Sequence, residues 1–198
     1  MLHLPQVQLI LLDGSLDPLA EKVIEFVTDR ITFGDVMHIR QQMSYEEAMQ
    51  YQARYLGNHL PSHCTHQLSI ECDGFPVNPH HWTDDFLSWD YIGAPWPANW
   101  VRIEDGSRVG NGGCALRSRA YIEAIRDVPR PQKLPGDVYW CQHPPVLDAL
   151  VRAGCKFAPL DVAMRWALEE RIPEFPQWDH ADSFGFHKTL PKWKNLLK

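Results

Sequence analysis

The sequence predicts an α/β protein: one domain over residues 1–198, a sheet flanked by helices, with long aromatic loops laid over the C-terminal edge of its strands. Three observations lead there. Apolar runs of strand length alternate with segments of helical spacing through the first half of the chain, in the order βαβαβ. The first and third of these runs close on an acidic residue followed by glycine, Asp13-Gly14 and Asp73-Gly74, as buried strands do when they turn at a sheet edge. Sixteen Pro and eight Trp call for long ordered loops with aromatic walls.

Val7 to Leu12 is a short run, apolar but for Gln8, ending in Asp13-Gly14-Ser15, which predicts a strand buried on both faces. Leu16 to Ile31 places Leu19, Val23, Phe26 and Val27 at helical spacing, with Asp17 and Pro18 as cap and first-turn residue. A second strand is expected over Asp35–Ile39. Ser44 opens a helix to about Leu60, because the SYEE sequence sets Glu47 three residues after a Ser cap. His66–Ile70 reads as a third strand, and Phe75–Ser107 as loop. Helices follow over Cys114–Ile125, Val146–Ala153 (stopped by Gly154) and Val162–Glu170, with an edge strand over Lys156–Pro159. The tail from Pro173 is aromatic loop, and Trp193 sits in a terminal helix packed onto the body.

With 198 residues the chain is long enough for a sizeable core. Apolar residues at 44% and charged residues at 22% are those of an ordinary globular protein. A net charge of −6 speaks against a general nucleic-acid or membrane coat. Five cysteines without a CxxC pair argue against a disulfide framework and a zinc knuckle, which suits a reducing, cytoplasmic setting. The N-terminal apolar run has no basic segment before it and no small-residue cleavage site after it, so it reads as a strand. No stretch approaches the roughly 20 apolar residues of a membrane-spanning helix.

Chemistry concentrates between Gln67 and Arg119. Glu71 and Asp73 stand at i and i+2 where a strand ends, so both carboxylates can reach one cation; Mg²⁺ or Mn²⁺ with donor phosphates completing the shell is the matching ligand. The plain alternative is a solvated acidic turn bent at Gly74. Gly110-Asn111-Gly112-Gly113 offers successive free N–H groups as an anion nest, strengthened if Cys114 opens a helix; alternatively it is a tight turn. Asp137, after Pro-Gly, is either a helix cap or a general base. His187, between aromatic residues, is either a third metal ligand or a packed loop histidine. Tyr91 and Trp96, with Trp82 and Trp100, offer rings on which a sugar or a nucleobase can stack, or else anchor the loop to the core. No GxGxxG, P-loop, GxSxG or HExxH pattern occurs.

The order DGFPVNPxxW, DYIGAPW, VGNGGCALRSR, PxDVYW and FGFH resembles a little-characterised group of bacterial and viral glycosyltransferase-like proteins of the GT-A type, over roughly Val7 to His187. The resemblance implies a GT-A-like fold and transfer of a sugar from a nucleoside-diphosphate donor, such as a UDP-sugar, with help from a divalent metal. It implies that Asp73, with Glu71 as companion, and His187 hold the metal. Asp13 lies near the nucleoside, Gly110 to Gly113 line the donor sugar with Arg117 in the donor site, and Asp137 supplies the base. Two positions depart from the pattern. Glu71 often has Gln as its counterpart, and the usual Glu-Asp pair is here Gly136-Asp137.

The reaction so implied is an inverting displacement by an acceptor hydroxyl. A glycan is the default acceptor. A hydroxymethylated phage DNA base is the second, favoured if Arg102, Arg108, Arg117, Arg119, Arg126 and Arg130 form a basic stripe. Two other classes remain open: an inactive sugar- or nucleotide-binding module, given the missing acid at Gly136, and a nucleotidyltransferase.

Overall fold

Strand β1 (Leu2–Asp13) runs through the middle of the molecule, and its central residues Val7 to Ile10 are buried, the polar Gln8 among them. The computed structural model describes residues 1–100, 108–131, 134–188 and 190–198. β1 pairs in parallel with β2 (Ile31–Arg40) on one side and with β3 (His66–Ile70) on the other. Beyond β3 lies β5 (Asn111–Ser118), antiparallel to it, and then β4 (Tyr91–Ala94), antiparallel to β5. The order is β2-β1-β3-β5-β4, with β5 alone reversed. A two-stranded parallel ribbon, β6 (Ala167–Leu168) with β7 (Gly185–Phe186), is separate from the main sheet.

Helices cover both faces. Leu9, Leu11, Leu68, Ile70, Cys114 and Leu116 pack against α1 (Ala20–Thr28) and α6 (Leu160–Trp166), with Phe75, Phe86, Trp166 and Phe184 filling the layer between them. The opposite face, which includes Tyr91 and Ala115, packs on α2 (Tyr45–Arg54), α3 (Arg119–Ile125), α4 (Gly136–Gln142) and α5 (Pro144–Arg152). Two glutamines buried on strands bond across to neighbouring strands: Gln67 Nε2 donates to Gln8 Oε1 at 2.8 Å, and Gln8 Nε2 to Asp35 Oδ2 at 2.7 Å.

Several elements stand where the sequence put them. β3 has the expected bounds. The capping box at Ser44 forms: its Oγ accepts from Glu47 N at 3.3 Å while Glu47 Oε2 accepts from Ser44 N at 2.8 Å. Gly154 closes α5 with φ +70°, a left-handed conformation that favours glycine. The terminal turn Trp193–Leu197 is a 3₁₀ helix whose Trp193 ring meets Phe75 edge-on at 5.9 Å.

Other expectations need correction. The helix expected over Cys114–Ile125 is instead the end of β5 followed by α3: Ser118 Oγ accepts from Tyr121 N at 3.0 Å, so the helix starts only after Ser118. A short apolar run does not reveal by itself whether it is strand or helix, and the ladder to β3 decides for strand. The loop expected over Phe75–Ser107 contains β4 and 3₁₀ turns, and its residues 101–107, with Arg102, lie outside the described residues. Lys156–Pro159 makes one isolated bridge, Phe157 to Tyr91, and no strand. α1 starts at Ala20, because Leu16 is left-handed (φ 56°) and Asp17 Oδ1 accepts from Leu19 N instead of capping a helix. β2 starts four residues earlier than Asp35, at Ile31. The helix from Ser44 ends at Arg54 and continues as a 3₁₀ turn, Leu56–His59. That from Val162 to Glu170 is α6 plus β6, and the tail contains β7.

Candidate active site

Sheet register gathers the site. β1 and β3 are parallel, with Leu11 opposite Ile70, so Asp13 and Glu71 emerge at the same edge. β5 is antiparallel to β3, with Cys114 opposite Ile70, so the start of β5 arrives at that edge too. The glycine cluster therefore reaches the site as the first residues of a strand. Glu71 N–H donates to the carbonyls of both Gly113 and Gly74, at 3.0 and 2.9 Å, which ties the acidic turn to the cluster.

Glu71, Asp73 and His187 form the acidic group of the site, each offering one ligand atom and all three atoms within 4.8 Å of one another. His187 Nε2 lies 3.4 Å from Glu71 Oε2 and 3.9 Å from Asp73 Oδ1. The carboxylates are about two-fifths exposed, whereas the imidazole is 4% exposed. Burial works against a charged His187, but hydrogen bonds to Glu169 and Glu71 outweigh it and raise its pKa to about 9. Burial likewise opposes ionisation of Glu71. The hydrogen bond from His187 and the charges of His187, Lys188 and Arg117 overcome it and hold that carboxyl below its ordinary range. One imidazole and two carboxylates gathered in this way are a donor set that suits Mn²⁺ or Mg²⁺ with phosphate oxygens.

Glu169 had no signal in the sequence. It follows β6 as His187 follows β7, and the ribbon's parallel register, Leu168 opposite Phe186, places them side by side. Its Oε1 lies 3.2 Å from His187 Nδ1, and Oε2 accepts from the Asn111 side-chain amide. Asn111 Oδ1 in turn accepts from Gly113 N at 3.0 Å. Asn111 is thus a brace within the site. Gly113 must lack a side chain because a Cβ there would enter the His187 ring.

Two adjoining cavities share Glu71, Tyr45 and Met49. The larger, about 480 Å³, is lined by Asp13, Ser15, Met43, Asp73 and Trp193 among others. The smaller, about 130 Å³, is lined by Asn111, Gly112, Gly113, Asp137, Trp140 and His187 among others. Asp137 stands in the first turn of α4 and does not cap it, the cap position being Pro135. Burial, and then the charge of Glu169, push its carboxyl above the ordinary range against the hydrogen bond from Val138 N. Tyr45, 63% exposed, lies between the cavities, and the Gly136 N–H donates to its hydroxyl at 3.4 Å. The sequence marked Tyr45 only as the first residue after a helix cap.

A family model described as "Protein of unknown function (DUF5672)" matches residues 30–187. The chain belongs to the DUF5672 family. No curated protein matches it. Among solved structures, this DUF5672 chain is similar to a glycosyltransferase involved in the glycosylation of the major capsid of PBCV-1, at 12% identity and TM-score 0.59, over 96% of this chain and 97% of that one. It is also similar to an active-site mutant of LgtC, at 13% identity and TM-score 0.48, over 93% and 88% of the two chains. A further likeness is to the galactosyltransferase LgtC in complex with donor and acceptor sugar analogues, at 13% and TM-score 0.43, over 93% and 87%. The first of these likenesses shows the fold: a GT-A-type α/β domain.

Not every residue singled out in the sequence reaches the cavities of this DUF5672 protein. Tyr91 is wholly buried, its hydroxyl donating to Gly110 O at 3.0 Å, and Trp96 is 4% exposed. Both rings are core, which corrects the expectation that a sugar stacks on them. Gly110 is packed against Trp96 and Cys141, behind the cavity that Asn111 to Gly113 line. Arg117 is buried behind the site, 4.1 Å from the Trp140 ring, with Nη1 donating to Ser69 Oγ at 3.1 Å. Its charge acts on Glu71 from beneath. Asp13 is buried, accepts from Asp17 N at 2.8 Å and faces His38 and Arg40, each at 3.8 Å.

Three of the arginines that would have to form a basic stripe for DNA are engaged within the protein. Arg108 pairs with Glu174 at 2.8 Å and Arg130 with Glu46 at 2.5 Å, while Arg119 donates to the carbonyls of Pro61 and Cys64. All five cysteines are free thiols, and burial pushes Cys72, beside the acidic turn, up to about 12. No helix among the described residues is long and apolar enough to cross a membrane.

Proposed function

We propose that this DUF5672 protein is a GT-A-type glycosyltransferase that moves a sugar from a nucleoside-diphosphate donor to a hydroxyl of a saccharide acceptor. The observation that carries the reading is the convergence of Glu71, Asp73 and His187 with the Asn111–Gly113 segment and Asp137 around two adjoining cavities. The larger cavity has the size and the mixed apolar and polar lining of a nucleoside site, and Asp13 is a buried acid in its lining. The smaller has room for a sugar ring's reacting edge between the glycines and Asp137.

A divalent metal held by Glu71, Asp73 and His187 would neutralise charge on the leaving diphosphate. Asn111, Gly112 and Gly113 hold the donor sugar against the cavity wall, where the two glycines permit close approach of the backbone. Asp137 takes the proton of the acceptor hydroxyl as its oxygen bonds to the anomeric carbon. The bond from that carbon to the diphosphate oxygen breaks, and its electron pair leaves with the diphosphate. A single carboxylate at that place supports single displacement with inversion. Gly136 in place of a second acid goes with close packing, since a Cβ there would stand 2.5 Å from Met49 Sδ. A saccharide acceptor is preferred to DNA because Arg108, Arg119 and Arg130 are already engaged within the protein.

The test is a panel of nucleotide sugars screened by thermal shift with and without Mn²⁺, followed by assay of donor hydrolysis without acceptor. A true donor at about 100 times its Kd stabilises by about 2.7 kcal/mol. Metal-dependent stabilisation with slow release of free sugar supports the reading. Stabilisation without any hydrolysis or transfer would reassign the protein as a binding module, and release of pyrophosphate from a nucleoside triphosphate as a nucleotidyltransferase.

A further inference from the structure

We propose that Glu169 is the positioning residue of this site, holding the His187 imidazole so that Nε2 faces Glu71 and Asp73 and coupling the metal ligands to the Asn111–Gly113 segment. The inference rests on the reading of Glu71, Asp73 and His187 as metal ligands, and goes beyond it by naming what orients them.

Three features of the structure carry it. First, the β6–β7 ribbon is only two residues per strand, and its register leads directly to Glu169 and His187 as neighbours. The ribbon is fastened at this end, where His187 N–H donates to Leu168 O at 2.8 Å and Lys188 N–H to Asp73 O at 2.7 Å. Second, the Glu169 carboxylate is nearly enclosed, at 10% side-chain exposure, and is used on both oxygens. Oε1 faces His187 Nδ1 at 3.2 Å and Lys188 Nζ at 3.5 Å, while Oε2 accepts from Asn111 Nδ2. Third, Asn111 has its Oδ1 committed to Gly113 N, so its amide nitrogen must point at Glu169.

The chemistry of the position requires a carboxylate. Donors approach from both sides, an imidazole N–H and a carboxamide N–H, so the group between them must accept on both oxygens. Glutamine in that place presents one donor to a donor. An imidazole whose Nδ1–H is held by a carboxylate is fixed in tautomer and ring orientation and binds metal more strongly through its other nitrogen. Loss of such a partner typically costs about 10–100-fold in metal affinity. The same carboxylate, through Asn111, fixes Gly113, whose carbonyl accepts from Glu71 N. Glu169 thus acts on two ligands of the set, on His187 directly through Oε1 and on Glu71 through Oε2, Asn111 and Gly113.

The experiment is a Mn²⁺ titration of the full chain without donor, read by loss of the free-ion EPR signal, with nitrogen coupling to bound Mn²⁺ measured by ENDOR. His187→Ala, Asp73→Asn, Glu169→Gln and Glu169→Asp are compared with the parent, and far-UV CD establishes that each is folded. The expected result is loss of binding in the first two and about 10–100-fold weaker binding in Glu169→Gln, with a diminished or broadened nitrogen coupling. Should Glu169→Gln fail to fold, Glu169→Asp decides, since it keeps the charge but withdraws the acceptor by one methylene and is expected to bind more weakly than the parent. Weak binding in the ligand variants together with parental affinity and coupling in the folded Glu169 variants would overturn this inference and leave the metal site standing. Parental affinity in His187→Ala and Asp73→Asn would overturn both.

Discussion

His187 Nε2 stands 3.4 Å from Glu71 Oε2 although the two residues follow strands of different sheets. Glu71 follows the central strand β3, whereas His187 follows the two-residue strand β7. The contact joins a rigid edge to a short ribbon, and the proposed metal chemistry depends on both sides of that junction. Asp73→Asn and His187→Ala are therefore expected to remove the Mn²⁺-dependent part of donor-induced thermal stabilisation while leaving the unliganded melting temperature near that of the parent for Asp73→Asn, whose side chain is 40% exposed. Differential scanning fluorimetry with each nucleotide sugar checks this.

Asp137→Asn separates binding from chemistry. Transfer is expected to be abolished and donor affinity retained, as measured by calorimetry alongside a product assay. In the parent, the transfer rate should rise with pH through an apparent pKa above the ordinary value of 3.8, because burial, the largest influence, disfavours the charged carboxylate.

The same shift has a sign for stability. A carboxyl whose folded pKa is raised stabilises the fold, relative to its ionised form, below its unfolded pKa, and loses that contribution as pH rises through the folded value. At neutral pH Asp137 is thus a burden that Asn relieves. Asp137→Asn should melt higher than the parent at pH 7, and the difference should vanish in acid, where both side chains are neutral. Equal melting at pH 7 would mean that the carboxylate is as well solvated folded as unfolded.

Gly113→Ala tests the close approach of strand and imidazole. The added Cβ enters the His187 ring, and His187 is enclosed and cannot swing away. A cost of about 1–3 kcal/mol is expected from overpacking, with Mn²⁺ binding lost. Urea denaturation gives the first and metal titration the second. By the same reasoning Gly136→Glu does not restore the acidic pair: its Cβ meets Met49 Sδ at 2.5 Å and the Trp140 ring at 3.2 Å, so the variant should be less stable and no more active.

Tyr45 tests the platform between the cavities. Its ring is 63% exposed, so Tyr45→Ala should barely alter stability, yet donor affinity should fall by about 0.5–1.5 kcal/mol if the ring stacks on the donor. Tyr45→Phe should retain that affinity. Unchanged affinity in Tyr45→Ala would place the donor away from this ring.

Much of the site was legible because local rules coincide with tertiary ones. Asp13, Glu71 and Asp73 follow apolar runs, and a run of that kind in a parallel sheet delivers its closing residue to the ligand-binding edge. Glu47 advertised its helix because a capping box is a contact between residues three apart. His187 was marked by polar chemistry among aromatic neighbours. Trp96 and Tyr91 misled for the complementary reason: a ring has the same letter whether it faces a sugar or the core, and burial alone tells them apart.

By itself the sequence determined the α/β class, the approximate places of strands β1 to β3, the acidic turn, and the poverty of positive charge that a general nucleic-acid coat would need. Those follow from periodicity, turn chemistry and composition, which act over a few residues. Only the tertiary structure decided that Asn111–Ser118 is a reversed strand, that Glu169 stands against His187, and that Tyr45 bridges Asp73's cavity and Asp137's. Those depend on register between distant segments, and register is set by the fit of whole faces in the core, which no local pattern encodes.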